Sequence, residues 1–446
     1  MAGQRETWAS GRGFVLATIG AAVGLGNIWR FSYVAGENGG GAFLLVYFLS
    51  VLLVGAPLLV AELALGRRAG GDGVSAFTAA GPRSPWRWAG WLGVAAAFLI
   101  LSYYAIIAGW ALKYLLGAAT GALWRAAGEG YGGYFARFIG DPGQAIAWQM
   151  AMLAAAMLVV AGGVQRGIEA VNRVLMPILA FCIVALAAYA ATLPGAAAGW
   201  AFLFKPDWAA LMKGSVLVAA LGQAFFSIGL GMAIFVTYGS YMTRKTSIGR
   251  SAAAIIVGDT LFAVVAGLAI FPAVFAFGMD PQAGPQLAFI TLPQIFLAMP
   301  GGRIVGLVFF ALLVAAALTS MAALLEVPVA TLVHRSRLRR WGAVALVGAA
   351  VFVTGLPSAM SYGLLAEVTL GGLAILDVVD RSVSNYLLPL SGLSICVYIG
   401  WCWPRARALD SIDARATWLP LLWLWLVRLV SPTLIVLILL DSLGVL

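Results

Sequence analysis

Residues 20–30 read GAAVGLGNIWR and lie in the middle of the first long apolar segment of the chain. A membrane helix at this depth normally consists of leucine, valine and isoleucine. Gly24 and Gly26 instead give the backbone freedom and leave it uncovered, so the helix can unwind here. Unwound backbone is tolerated inside a bilayer only where it lines a cavity or is buried in protein, and the charge of Arg30 has a similar cost. The stretch therefore predicts a helix that is broken around a polar site.

The composition of the chain is that of a membrane protein. Its 446 residues are 63% hydrophobic and 10% charged, and the mean hydropathy of +0.99 excludes an ordinary soluble globular protein. The formal net charge of +10 does not indicate a nucleic-acid partner, because no basic stripe with interleaved aromatic residues accompanies it. We therefore expect the lipid bilayer to be a partner and nucleic acid not to be one.

Apolar runs long enough to cross a bilayer recur along the chain. We predict an all-α membrane protein with about eleven transmembrane helices, at residues 11–37, 41–68, 88–116, 144–163, 168–192, 214–242, 250–278, 302–334, 339–357, 375–403 and 417–443. Clusters of basic residues follow the even-numbered runs, and the positive-inside rule then places the N-terminus in the cytoplasm. An odd number of spans in the cell (inner) membrane places the C-terminus outside.

The sixth apolar run repeats the unusual composition of the first. Residues 222–231 read GQAFFSIGLG, with polar residues and closely spaced glycines at mid-membrane. Broken helices at positions one and six predict two inverted five-helix repeats with a site at their interface. We place repeat one at about 11–192, repeat two at about 214–403 and an extra helix at about 417–443. No polar stretch is long enough to fold separately, so 1–446 is predicted to be a single transmembrane domain.

The cysteines and the single histidine do not form a recognisable catalytic or metal site. Cys182, Cys396 and Cys402 lie in apolar runs at unrelated spacings, which predicts neither a disulfide framework nor a zinc site. One histidine, His334, at the end of a span cannot supply a nucleophile–base pair or a polyhistidine centre. We therefore expect no enzyme activity and no organic cofactor. The first apolar segment contains Asn27 and Arg30, which argues against a signal peptide.

Motifs spread over nearly the whole chain resemble the neurotransmitter:sodium symporter family, and specifically its bacterial amino-acid branch. The matching residues are 5–8, 20–31, 37–43, Pro57, Glu62, Tyr103, Tyr104, 225–231, 237–241, 291–293 and 318–320. The family usually has twelve spans, whereas this chain has about eleven, as some bacterial members do. The missing helix lies outside the two repeats, so its absence bears on the oligomeric state, which the sequence leaves open, rather than on transport.

The resemblance implies two sodium sites. Site 1 would use the carbonyl of Ala22 and the side chains of Asn27, Ser227 and Asp259, since a hard cation needs several oxygen ligands. Asp259 would also supply the fixed negative charge that animal relatives obtain from chloride, although a protonated, hydrogen-bonded Asp259 is the structural alternative.

Site 2 would use the carbonyls of Gly20, Val23 and Ala316 with the hydroxyls of Thr319 and Ser320. Ser and Thr hydroxyls often bond to the backbone within membrane helices, so this second set depends on the first-span motif.

The resemblance also implies an amino-acid site between the two broken helices. Half-helix N-termini suit a carboxylate, and Tyr104 would donate its hydroxyl to the same group. Monoamine carriers have an aspartate where this chain has Gly24, so the substrate should bring its own carboxylate. The uncharged side-chain subsite predicts a neutral, hydrophobic amino acid, with larger or aromatic ones favoured. The implied substrate residues are Ala22, Gly24, Leu25, Gly26, Ile100, Tyr104, Phe226, Ser227, Gly229, Met232, Ser320 and Leu324.

Gates are implied on both sides of this site. Outside it, Arg30 and Asp380 would form an ion pair above a lid of Tyr104 and Phe226. Inside it, residues of the N-terminal segment would seal the path against the end of the sixth span: Arg5 and Trp8 against Tyr238 and Ser240. The acid expected late in the eighth span falls on His334, which predicts either a register slip or a weaker, pH-sensitive inner gate. The buried acids Glu62 and Glu326 are interpreted as caps of broken-helix backbone.

These expectations lead to one function and two alternatives. The leading hypothesis is a sodium-coupled symporter that imports an amino acid by alternating access. The first alternative is a proton-coupled amino-acid transporter of the same fold, in which Asp259 titrates and no sodium binds. The second is a transport-dead amino-acid sensor, which would bind the substrate without moving it.

Overall fold

The computed structural model describes residues 6–78, 84–282, 287–412 and 418–445, and within them the chain is almost entirely helical. The only extended pairings among these residues are two isolated bridges, Gly40 with Pro206 and Leu370 with Leu373. This confirms the predicted all-α class.

Nine helices in the described part of the chain are long and apolar enough to cross a membrane, and a bent pair forms a tenth span. In chain order, the elements are the bent pair α1 (Gly11–Ala22) and α2 (Gly26–Glu37), α3 (Gly41–Ala69), α4 (Arg87–Thr120), α5 (Pro142–Ala161), α6 (Val164–Ala190), α7 (Gly214–Ile228), α8 (Ile234–Ser240), α9 (Ile248–Ala276), α10 (Gly302–Arg335), α11 (Arg340–Ala359), α12 (Ile375–Cys402) and α13 (Trp418–Ser442). If the short helices α7 and α8 form one further span, the elements agree with the predicted eleven. The limits of the two repeats remain a prediction.

The first span is broken where the glycines predict it. Helix α1 begins after Ser10, whose hydroxyl accepts a hydrogen bond from the Gly13 amide. It ends at Ala22, because Val23 has an extended backbone with ψ 102°. The chain resumes as α2 at Gly26, bent by 50° relative to α1. The break exposes main-chain N–H and C=O groups in the middle of the protein.

The sixth span is broken by three left-handed residues at alternate positions. Helix α7 ends at Ile228 and α8 begins at Ile234. Between them, Gly229, Gly231 and Ala233 have φ values of +84°, +75° and +54°. A left-handed conformation is routine for glycine and costly for alanine. The predicted interruption of this helix is confirmed.

The two broken spans lie inside a shell of continuous helices. Helix α1 packs against α6, α9 and α10, while α8 packs against α3 and α10. Helix α4 runs along α10, which brings the middles of both helices to the breaks. Helix α13 lies at the edge of the bundle against α12 and α7. Shorter helices cover the connections, including Tyr131–Gly140, Ala196–Phe204 and Thr291–Ala298.

Candidate ion and substrate site

A compact polar cluster lies beside the break in the first span. The Asn27 amide Nδ2 donates to Asp259 Oδ1 at 2.7 Å and to Ser227 Oγ at 3.0 Å. Its other end, Oδ1, accepts the Gly24 main-chain N–H at 3.0 Å. One side chain therefore fixes the unwound backbone of the first span and connects it to α7 and α9.

Ser227 and Tyr47 complete the cluster. The Ser227 hydroxyl donates to Asp259 Oδ2 at 3.0 Å, and the Tyr47 hydroxyl lies 3.3 Å from Ser227 Oγ. Tyr47, Asn27 and Asp259 are completely buried, and Ser227 nearly so. Tyr47 lies in an apolar run of α3 and carries no motif, so sequence reasoning missed it.

The cluster contains a carboxylate without a basic partner. Among the described residues, no arginine, lysine or histidine forms an ion pair with Asp259. A buried carboxylate needs a compensating charge or a proton. Its neighbours offer hydroxyl, amide and carbonyl oxygens, which are the ligands of a hard cation. Because α1 ends at Ala22, the carbonyls after Ile19, whose own oxygen still accepts the Val23 N–H, lack next-turn partners. This donor set fits a sodium ion.

The second predicted set of oxygens lies where α10 crosses the same break. Thr319 Oγ1 donates to the Ala316 carbonyl at 2.9 Å, and Ser320 Oγ lies 3.5 Å from the Val23 carbonyl. Ser320 also lies 3.3 Å from the carbonyl of Ala21, a residue that sequence reasoning did not single out. The structure thus brings one hydroxyl of α10, that of Ser320, to carbonyls at the break in the first span, while the Thr319 hydroxyl bonds within α10.

Gly20, the remaining member of this set, packs against α6. A Cβ atom at Gly20 would lie 1.8 Å from Asn172 Oδ1. Asn172 is completely buried, and Oδ1 is without a hydrogen-bond partner. The absence of a side chain at Gly20 therefore allows α1 to approach α6 closely.

Gly24 lies where a side chain would collide with the neighbouring helices. A Cβ atom there would be 2.5 Å from Ser320 Oγ and 2.8 Å from the Tyr104 hydroxyl. The Tyr104 hydroxyl accepts the Leu25 main-chain N–H at 2.9 Å. The hydroxyl hydrogen of Tyr104 can therefore still be donated to an acceptor at the break. An aspartate at this position would not fit without rearrangement.

The predicted side-chain subsite is buried and carries no charge. Ile100, Met232, Leu324 and Ser320 are all buried, and the Met232 sulfur lies 3.9 Å from a Cβ built on Gly229. The Gly26 carbonyl accepts Gln223 Nε2 at 2.9 Å, while Gln223 Oε1 is buried without a partner. A Cβ at Gly26 would lie 3.1 Å from the Phe226 ring. Sequence reasoning predicted no role for Gln223, although this residue lies within the glycine-rich stretch 222–231.

On the predicted outer side, Arg30 contacts the aromatic lid rather than an acid. Its guanidinium carbon lies 4.4 Å from the centroid of the Phe226 ring. Its Nε and Nη1 are buried without a hydrogen-bond partner, and no ion pair with Asp380 is present within the part of the chain that is described. Asp380 Oδ1 instead accepts the Ser384 hydroxyl at 3.2 Å. The expected Arg30–Asp380 ion pair is therefore not formed in this structure, because the cation–π contact holds Arg30 over the ring.

On the predicted inner side, Trp8 closes the end of the sixth span. Trp8 Nε1 donates to the Tyr238 carbonyl at 3.0 Å, and the two rings meet edge to face at 5.0 Å. The buried Ser240 hydroxyl donates to the Thr237 carbonyl at 2.7 Å. Arg5, the other predicted member of this gate, lies outside the described residues.

An acidic residue does lie near His334, but it belongs to the turn after α3 and not to α10. Asp72, in the turn after α3, has a completely buried side chain. Arg335 Nε donates to Asp72 Oδ2 at 2.7 Å, and His334 Nε2 lies 4.0 Å from Oδ1. Asp72 also accepts the Ser75 amide, which fixes the turn. The signal that could have found it is an isolated acid between Gly71 and Gly73 in an arginine-rich turn.

The two buried acids of α3 and α10 have different roles. Glu62 Oε1 accepts the Gly231 main-chain N–H at 2.8 Å, so it caps the broken sixth span as expected. Glu326 does not cap backbone. It accepts the Tyr241 hydroxyl at 2.6 Å and forms a two-point ion pair with Arg340, which also reaches Glu6 at 3.1 Å. The interpretation of Glu326 as a backbone cap was wrong, because an arginine at the start of α11 supplies the partner.

Comparisons with known proteins agree on one family. The sequence model described as the Sodium:neurotransmitter symporter family matches residues 5–132 and 135–446. The crystal structure of MhsT in complex with L-phenylalanine superimposes with a TM-score of 0.93 at 48% identity, covering 98% of this chain and all of that one. YhdH of Bacillus subtilis, described as an uncharacterized sodium-dependent transporter, is 41% identical over 98% of both chains. The human sodium- and chloride-dependent creatine transporter 1 is 26% identical over 94% of this chain and 74% of its own.

Proposed function

Because this chain belongs to the sodium:neurotransmitter symporter family, a family of membrane transporters and not of enzymes, we propose that it imports a neutral, hydrophobic L-amino acid together with sodium ions. The observation that carries this proposal is the buried cluster of Asn27, Ser227 and Asp259 beside the break in the first span. This cluster places oxygen ligands of the kind that sodium prefers beside a helix break that is able to hold a substrate.

We propose two sodium ions per cycle. The first would bind at the Ala22 carbonyl and the side chains of Asn27, Ser227 and Asp259, where it compensates the buried carboxylate. The second would bind between the uncovered α1 carbonyls of Gly20 and Val23 and, on α10, the Ala316 carbonyl with the hydroxyls of Thr319 and Ser320. Both sites use the same break, so ion binding and the conformation of the first span are coupled.

The substrate site lacks the acid that a simple amine would require. Gly24 has no side chain, and the uncharged wall includes Ile100, Met232 and Leu324. A ligand there should carry its own carboxylate, to be held by the Tyr104 hydroxyl and the positive dipole end of α2 at the break. The relative MhsT, solved with L-phenylalanine, supports an α-amino acid with a large apolar side chain.

The helix breaks also provide the hinges for alternating access. Trp8 and Tyr238 would close the path on one side of the site, and Arg30 with Phe226 on the other. Opening either side requires only that one half of a broken span move relative to the other, because the breaks already lack continuous main-chain hydrogen bonds. We place the protein in the cell (inner) membrane with its N-terminus in the cytoplasm and its C-terminus outside.

One feature favours a second candidate, a proton-coupled transporter of the same fold. Asp259 is completely buried and receives hydrogen bonds from Asn27 and Ser227. A proton could neutralise this carboxylate in place of sodium. In that mechanism, replacing sodium by choline would leave amino-acid binding unchanged.

Equilibrium binding to the purified protein tests the proposal. We expect labelled phenylalanine and leucine to bind in sodium and not in choline, and glutamate to bind in neither. Asn27→Ala should abolish the sodium-dependent signal. Asn38→Ala is the matched control, because among the described residues the Asn38 side chain bonds only to the Val34 carbonyl at the end of α2. Binding that ignores sodium would favour the proton-coupled alternative, and sodium-dependent binding without uptake would favour a sensor.

A further inference from the structure

A groove of about 290 Å³ lies between α12 and α13, and no residue of either helix break lines it. Its walls include Trp401 of α12 and Trp425 of α13, whose residues are 55% and 62% exposed, together with three leucines of α13. Two arginines, Arg405 and Arg428, complete the lining, which contains no acidic residue among those that the structure describes. The groove is therefore apolar along its length and positively charged at one point.

Arg428 lies within a membrane helix and is only partly satisfied. Its Nε donates to the Gly400 carbonyl of α12 at 2.5 Å. The lack of a side chain at Gly400 permits this approach, since a Cβ there would lie 3.0 Å from Arg428 Cγ. Neither Arg428 nor Arg405 forms an ion pair among the described residues. A charged side chain in a membrane helix needs a partner or access to the interface.

Arg428 lies ten residues after the start of α13 but beside the last turn of α12, and Arg405 follows three residues after the end of α12. Side chains on a helix point toward the helix N-terminus, so Arg428 reaches back toward the start of α13. Its partner Gly400 lies only two residues, or about 3 Å of helix rise, before the end of α12. Arg405 opens the short helix Arg405–Asp410 that follows. Exposed tryptophans such as Trp401 are typical of this depth.

We propose that the α12–α13 groove binds an anionic phospholipid. Its phosphate lies between Arg405 and Arg428, and its acyl chains cover Trp401 and Trp425. Arginine pairs well with phosphate oxygens, and basic pockets between membrane helices select anionic headgroups. A choline headgroup would be repelled by the two guanidinium groups, and the described lining of the groove offers no carboxylate to attract it. The predicted orientation places this lipid in the cytoplasmic leaflet.

Native mass spectrometry of the detergent-purified, delipidated protein tests this proposal without any transport assay. Titration with dioleoyl phosphatidylglycerol should give a one-lipid complex, and dioleoyl phosphatidylcholine should bind at least tenfold more weakly. Arg405→Gln and Arg428→Gln should each weaken phosphatidylglycerol binding by about fivefold, the effect of one basic residue near an anionic membrane surface. Arg407→Gln, on the same short helix but outside the groove, should leave it unchanged.

Arg405→Gln keeps the test valid if Arg428→Gln impairs packing, because no ion pair joins Arg405 to another residue in the described part of the chain. Thermal melting of each variant checks the fold. Equal affinity for the two lipids would overturn the proposal, as would equal effects of the Arg405 and Arg407 variants. Displacement of the lipid by millimolar inorganic phosphate would identify a soluble anion as the ligand and also contradict it. A lipid-free dimer that both groove variants dissociate would show that a second copy of the chain occupies this surface instead.

Discussion

Asn27 and Asp259, 232 residues apart in the chain, are in direct contact: Asn27 Nδ2 lies 2.7 Å from Asp259 Oδ1 and 3.2 Å from the Asp259 carbonyl. This contact ties the uncovered backbone of the first span to the middle of α9. It also places a buried carboxylate beside the Ser227 hydroxyl. In the proposed mechanism, sodium joins these groups, so the ion would stabilise the arrangement that holds the substrate.

Removing the charge of Asp259 should weaken sodium binding. Asp259→Asn keeps the size of the side chain but removes the negative charge that compensates the cation. We expect the sodium concentration for half-maximal phenylalanine binding to rise about tenfold or more, equivalent to roughly 1.4 kcal/mol. Asp280→Asn is the control, because Asp280 lies in an exposed turn where its carboxylate caps the Gln282 amide. Unchanged sodium dependence in Asp259→Asn would show that this carboxylate does not contact the ion.

A side chain at Gly24 should block substrate binding. The added Cβ of Gly24→Ala would lie 2.5 Å from Ser320 Oγ and 2.8 Å from the Tyr104 hydroxyl. Relieving such contacts costs about 1–3 kcal/mol, so phenylalanine affinity should fall about tenfold to a hundredfold. Gly222→Ala, where a Cβ meets nothing within 4 Å, should bind normally. If both variants bind alike, the substrate does not lie at this break.

The left-handed turn in the sixth span should tolerate no side chain at Gly231. Its φ is +75°, a Cβ would lie 2.8 Å from the Leu388 carbonyl, and its N–H is held by Glu62. We expect Gly231→Ala to lower stability by about 1–3 kcal/mol, measured as a fall in melting temperature in detergent. Gly249→Ala, on the first turn of α9 with open space around it, should be neutral or slightly stabilising. A Gly231→Ala protein as stable as the wild type would mean that the turn is not held in this conformation.

Removing one partner of the Arg340–Glu326 ion pair should lower the stability of the protein more than removing both charges together. Glu326 is completely buried, so Arg340→Met leaves an uncompensated carboxylate and should destabilise the protein by about 3–5 kcal/mol. The double variant Arg340→Met with Glu326→Gln removes both charges and should regain much of this loss. Melting temperatures of the two single variants and the double variant complete the cycle. Strictly additive losses would contradict a direct pairing.

Local composition was enough to predict where the helices break. Gly24 and Gly26 predicted the first interruption, and Gly229 and Gly231 the second, because glycine alone adopts these conformations without strain. The left-handed Ala233 carried no such signal; it shows that the turn is imposed by its surroundings. The positions of the spans followed from hydrophobic run length in the same way.

Contacts that depend on three-dimensional placement could not be predicted. Tyr47 and Gln223 join the site from positions that look like ordinary helix interior. Glu326 was assigned a backbone partner because nothing in the sequence shows that Arg340 turns back toward it after the α10–α11 connection. Likewise, His334 seemed to lack an acid because Asp72 is 262 positions away and lies in a turn. The Arg30–Asp380 pair depends on side-chain conformation, which the sequence leaves undetermined.

Uptake into proteoliposomes tests the central claim most directly. Purified protein would be reconstituted and given labelled phenylalanine under an inward sodium gradient, an inward proton gradient or a choline gradient. The sodium-symport account predicts accumulation above equilibrium with the sodium gradient only, and none with Asn27→Ala. Accumulation driven by protons in the absence of sodium, or no accumulation despite sodium-dependent binding, would contradict it.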